Sequence, residues 1–142
     1  MLKRIFLASD HGGYRLKELV KGFLNKQKQP IEDLGCFSLD AVDYPDYAKL
    51  LSDKLKNDLN SQGILFCGTG IGISMAANRY SHIRAALCTT AEMASKSRKH
   101  NNANVLALGG RIISDGLALD IVYEFLNTDF EAGRHSLRVN KI

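Results

Sequence analysis

The stretch "GILFCGTGIGIS", residues 63–74, decides the fold. Its first half is apolar without alternation, as a strand buried on both faces should be. The run stops at Cys67, and three glycines follow at alternate positions, Gly68, Gly70 and Gly72. The segment after Gly70 reads as a helix. A strand, a tight glycine turn and a helix make one βα unit, and such units build parallel sheets.

The same alternation runs outward in both directions. Toward the N-terminus lie an apolar run at 4–9, a helical pattern at 14–27, a weak strand at 30–35 and an amphipathic helix at 46–59. In the 14–27 segment Leu16, Leu19, Val20, Phe23 and Leu24 share one face. Pro45 is a start signal for the helix that follows it. Toward the C-terminus come a strand at 84–89, a helix at 91–100, a strand at 104–109 and a helix at 114–127, with Ser114 as its cap. Alternating elements of this kind predict a Rossmann-like three-layer α/β/α sandwich around a five-stranded parallel sheet. The 142 residues make one domain, 1–142, without linker or repeat. The last stretch, about 128–142, is basic and non-periodic, and reads as a tail reaching a partner subunit.

Composition bounds the function. The chain is 45% hydrophobic and 24% charged, with a net charge of +4. No apolar run is long enough to cross a membrane. Asp10 and His11 come too early for a secretory leader, which points to the cytoplasm. Lys and Arg are not massed in a block, so a nucleic-acid partner is not suggested, and an anionic small substrate fits better. Cys36, Cys67 and Cys88 are odd in number and lack CxxC spacing, which suggests neither a disulfide framework nor a zinc site.

Ligands of doubly wound sheets bind at the carboxyl ends of the strands. Three such ends carry glycine beside a reactive or charged residue: Ser9 to Gly13, Cys67 to Gly70, and Gly109 to Arg111. They should converge on one rim. Thiolates are stabilised at helix N-termini, so Cys67 is a candidate nucleophile, metal ligand or base. It could equally be a small buried residue ending a strand. Asp10 and His11 could offer a carboxylate to sugar hydroxyls and an imidazole to a phosphate, or be a cap and a surface histidine. His100 and Asn101 precede the last strand and could be plain loop residues. Arg134 and Arg138 stand four apart and would share a face if helical, able to clamp a phosphate, or they belong to a solvated basic tail. Tyr44 could line the rim or pack against it. Cys36 and Cys88 have no adjacent glycines and read as structural.

Taken together, "SDHGG", "DYPDYA", "CGTGIGISMAANR", "HNNANVLALGGR" and "GRHSLRV" resemble the ribose-5-phosphate isomerase B family, in order and spacing, from Asp10 to Val139. That family also includes allose-6-phosphate and galactose-6-phosphate isomerases. The resemblance implies an aldose–ketose isomerase of the pentose phosphate pathway, interconverting ribose 5-phosphate and ribulose 5-phosphate. A phosphorylated hexose such as allose 6-phosphate is the alternative substrate. The resemblance also implies no metal or organic cofactor, and a homodimer or homotetramer whose sites are completed across an interface. Cys67 matches the catalytic base. Thr69 and the amides of Gly68, Gly70 and Gly72 match the loop that stabilises the enediolate. His100 matches the residue that helps open the furanose ring, with Asp10 near the ring oxygen. Asn101 and Tyr44 match substrate contacts, and His11, Arg111, Arg134 and Arg138 match phosphate-binding positions. A second subgroup uses a glutamate further along the loop; Ile73 stands there in this sequence, which places the chain with the cysteine type.

Overall fold

The computed structural model describes residues 3–142. Strands and helices alternate as the sequence predicts: β1 (Ile5–Ser9), α1 (Tyr14–Lys26), β2 (Ile31–Asp33), α2 (Tyr44–Lys56), β3 (Gln62–Cys67), α3 (Ile71–Ala77), β4 (Ala85–Leu87), α4 (Ala91–Asn101), β5 (Val105–Gly109), α5 (Asp115–Leu126) and α6 (Arg134–Val139). The five strands form one parallel sheet in the order β2-β1-β3-β5-β4.

The three central strands are buried along their whole length. Successive side chains point to opposite faces of a strand, so each central strand feeds two cores. Ile5, Leu7, Ile64, Phe66, Leu106 and Leu108 pack with α1, α4 and α5. Phe6, Ala8, Leu65, Cys67, Val105 and Ala107 pack with α2 and α3 on the other face. That double burial is why the strands read as unbroken apolar runs.

The edges differ from expectation. β2 and β4 have three residues each and are only half-buried. Each lies at a sheet margin and pairs with one neighbour only, along three residues. The outer edge of β4 is closed by a side chain: Asn78 Oδ1 accepts from the Ala85 N–H at 2.8 Å, and Asn78 Nδ2 donates to the Ala85 carbonyl at 2.9 Å. The helix after Tyr44 starts at Tyr44 itself, with Pro45 inside its first turn, where the missing N–H has no intrahelical role. The C-terminal stretch contains a short helix, α6, packed on α4.

Helix α1 buries Leu16, Val20 and Leu24, as its spacing predicts, and also Lys17, which is 0% exposed. The Lys17 Nζ lies 2.8 and 2.7 Å from the two carboxylate oxygens of Asp33 and 3.1 Å from Glu18. Burial pushes the Asp33 carboxyl up. Hydrogen bonds from Lys17, the Gly35 N–H and Lys21 outweigh it and hold the group below the ordinary value of 3.8. A buried cation is tolerated when it is paired in this way.

Candidate active site

The chain leaves β1 toward β2 on one side, while β3 lies on the other. That makes the β1/β3 boundary the topological switch point, where doubly wound sheets leave a crevice. Ser9 stands opposite Phe66, so Asp10 and Cys67 reach the rim side by side. Cys67 in turn stands opposite Gly109 of β5. The Gly110 N–H donates to the Cys67 carbonyl at 2.8 Å, and the Arg111 N–H to the Gly68 carbonyl at 2.9 Å. A β-carbon on Gly12 would lie 3.0 Å from the Gly68 nitrogen and 3.4 Å from Arg111 Cζ. The three strand ends therefore converge, as the sequence predicts.

Cys67 is buried, 4% exposed, and its Sγ accepts a hydrogen bond from the Gly70 N–H at 3.1 Å. Gly70 has φ +77°, and a β-carbon there would come within 2.9 Å of the Leu108 backbone and 2.6 Å of the Leu87 side chain. Only glycine suits both constraints. The turn swings the Gly70 amide back onto the sulfur and holds it in place. The Gly70 amide faces the sulfur, and the Ile71 amide donates to Thr69 Oγ1 at 3.2 Å. The Gly72 N–H lies in the first turn of α3 and has no intrahelical acceptor. Tyr44 packs on this turn: a β-carbon on Gly72 would lie 2.6 Å from its ring.

Asp10 is buried at 7% exposure, and its Oδ1 accepts from the Gly13 N–H at 3.1 Å. It thus fixes the turn that precedes α1, whose N-cap is Gly13 and not Asp10, while standing beside Cys67. His11 is half-buried, and its Nδ1 accepts from the Val42 N–H at 3.2 Å.

His100, Asn101, Arg134 and Arg138 form a second group. Helix α4 ends at Asn101, and the Asn104 carbonyl accepts from the Gly63 N–H at the start of β3. Cys67 lies at the other end of that strand. Four residues of strand separate the two levels, about 13 Å. Helix α6 joins the His100 side: the His135 ring stacks on His100 with centroids 4.3 Å apart and planes 16° from parallel. The Glu131 N–H also donates to the Lys99 carbonyl at 3.1 Å. Arg134 and Arg138 lie on this helix, exposed. Asn101 lines a cavity of about 380 Å³ with Asn78, Arg84 and Ile142. The chain thus divides the expected site residues between two rims of its sheet.

Sequence reasoning missed His135, because the tail showed no period to place it. Burial lowers its basicity from the ordinary 6.5, and the cationic neighbours His100, Arg134 and Arg138 act the same way against Glu131. His100, Glu131 and His135 bring ligand atoms within 4.8 Å of one another. The nearly parallel rings keep their nitrogen lone pairs in two separate planes, which suits stacking better than a shared ion. Cys88 is pushed up to about 11 by burial, partly offset by a hydrogen bond from Ser97, and stays an inert thiol. Among the described residues no helix is long and apolar enough to cross a membrane.

The family model described as Ribose/Galactose Isomerase matches residues 5–142. A probable ribose-5-phosphate isomerase B of Mycoplasma pneumoniae is 49% identical, over 97% of this chain and 91% of its own length. The crystal structure of a ribose 5-phosphate isomerase from Thermotoga maritima superposes with a TM-score of 0.96 at 49% identity, covering 99% of this chain and 97% of that one. Ribose-5-phosphate isomerase B from Mycoplasma genitalium, solved with bound ribulose-5-phosphate, has a TM-score of 0.95 at 44% identity, covering 99% and 94%. The fold is that of a sugar-phosphate isomerase. The chain belongs to the ribose/galactose isomerase family.

Proposed function

We propose that the protein interconverts D-ribose 5-phosphate and D-ribulose 5-phosphate. The observation that carries this reading is Cys67 at the β1/β3 switch point, its sulfur held by the Gly70 amide and Asp10 beside it. In the forward direction the Cys67 thiolate takes the proton from C2 of the open-chain aldose and returns it to C1, while the O2 hydroxyl proton passes to O1, with an enediolate between. A base in contact with a weakly acidic C–H contributes about 10²- to 10⁴-fold. The Gly68 and Gly72 amides and Thr69 are placed to meet the enediolate oxygen. Asp10 binds near the ring oxygen, and His11 and Arg111 hold the phosphate end, which positions the carbon chain over the sulfur. The bound ribulose-5-phosphate in the Mycoplasma genitalium relative supports the substrate class. The charge on a sugar phosphate keeps it on one side of a membrane, and we place the reaction in the cytoplasm.

We further propose a homodimer, alone or within a tetramer, with shared sites. His100, Asn101, Arg134 and Arg138 lie on the rim opposite Cys67. They can serve ring opening and phosphate binding only at the Cys67 rim of a second copy. In that arrangement the C-terminal segment, about 128–142, faces the partner subunit, with exposed arginines on α6 toward its substrate.

The test is direct. Purified protein is incubated with ribose 5-phosphate, without added metal, beside Cys67→Ala. Turnover that falls about 10²-fold or more in the variant, with substrate still bound, is expected. Equal rates would remove Cys67 as the base. Faster turnover of allose 6-phosphate would move the substrate to phosphorylated hexoses.

A further inference from the structure

His11 sits between a backbone donor and the open rim. The Val42 N–H donates to its Nδ1 at 3.2 Å. A backbone amide can only donate, so Nδ1 must hold its lone pair, and the proton of the neutral ring must sit on Nε2. The other ring nitrogen is thereby fixed as a donor.

The segment that carries this amide is anchored at its start by contacts that reach the buried Lys17. Lys17 grips Asp33, and Asp33 Oδ1 accepts from the Gly35 N–H at 2.9 Å. The Ser9 N–H donates to the Gly35 carbonyl at 2.7 Å, and the Cys36 N–H to the Ser9 carbonyl at 2.9 Å. This lacing ties the start of the 34–43 segment to the end of β1, one residue before Asp10. The segment then brings the Val42 N–H to the edge of the His11 ring. Two neighbours at the rim receive opposite roles: Asp10 presents a carboxylate that accepts, and His11 an N–H that gives.

We propose that the Val42 amide locks His11 in the Nε2–H tautomer, so that His11 serves the sugar phosphate as a hydrogen-bond donor to an anionic oxygen and does not accept a proton from the substrate. The inference rests on the isomerase reading for the identity of the ligand. The tautomer itself does not depend on it. Val42 is then a positioning residue.

Long-range ¹H–¹⁵N correlation spectra of the labelled full chain, at alkaline pH where the ring is neutral, read the tautomer. We expect a pyridine-like Nδ1 and a pyrrole-like Nε2 for His11. A protonated Nδ1, or two averaged nitrogens, would overturn the lock. A pair of variants reads the role. The Gln side-chain amide reaches the Nε2 position and can still donate there, whereas Asn can mimic only Nδ1. His11→Gln should keep kcat/KM for ribose 5-phosphate about tenfold or more above His11→Asn, chiefly through KM. The reverse ranking, or equal losses, would make His11 a structural partner of Val42 alone. A protein without isomerase activity would sink the functional reading while the spectra still decide the tautomer.

Discussion

The Gly70 N–H lies 3.1 Å from the Sγ of Cys67, so the left-handed turn that opens α3 also holds the sulfur. Gly70→Ala tests both duties. The new methyl would meet the Leu108 backbone, and φ +77° disfavours any side chain. A loss of about 1–3 kcal/mol in urea unfolding is expected, with kcat falling more than KM rises. A variant that kept native kcat would show that the amide does not orient the sulfur.

The division of site residues between two rims predicts complementation. Cys67→Ala and His100→Ala should each be nearly inactive alone. Dissociated and re-associated as an equal mixture, they should recover about a quarter of native activity, because half the dimers are mixed and each holds one intact site. A mixture as inactive as its parts would place His100 and Cys67 outside a shared site.

Asp33 gives the fold an acid-sensitive tie. Its carboxyl is held below the ordinary 3.8 in the native state. The stabilisation is therefore complete above that value and is lost as pH falls through the lower native value. Asp33→Asn should cost up to about 3 kcal/mol at neutral pH, the low end for a broken buried pair, because Glu18 still faces Lys17. Denaturant melts at successive pH values should show the gap between variant and native protein closing in acid. A constant gap would mean that the charge of Asp33 is not what stabilises.

The His135 ring titrates with the same sign, in a higher pH window. Burial and its cationic neighbours hold its native pKa below 6.5, so the unfolded chain binds the proton first. Stability should be full above that value and erode as pH falls through it. His135→Phe keeps an aromatic stack on His100 and removes the titration. Thermal melts from pH about 8 to about 5 should fall less steeply for the variant than for the native chain. Parallel slopes would assign the acid loss to other groups.

The sequence disclosed most where burial was extreme. β1, β3 and β5 are covered on both faces, so composition alone marked them, and the glycines after Cys67 marked the turn. Edge strands β2 and β4 were only partly legible, because one exposed margin dilutes the apolar signal. Lys17 was invisible as a core residue: its partner Asp33 lies sixteen positions away, and no local pattern announces a buried ion pair. The Asp10, Cys67 and Arg111 rim followed from the rule for strand ends. The placement of His100 needed the direction of α4, which runs back along the sheet, and His135 needed α6, a helix too short to show a period.

Asn78 offers the Ala85 edge of β4 one donor and one acceptor, as a neighbouring strand would. A sheet margin left bare invites another chain to extend it. Here a single amide side chain occupies the outward-facing peptide group, so the open sheet ends within its own molecule. For the proposed dimer, which would bring a chosen pair of rims together, this matters: association through the β4 edge is already closed at Ala85.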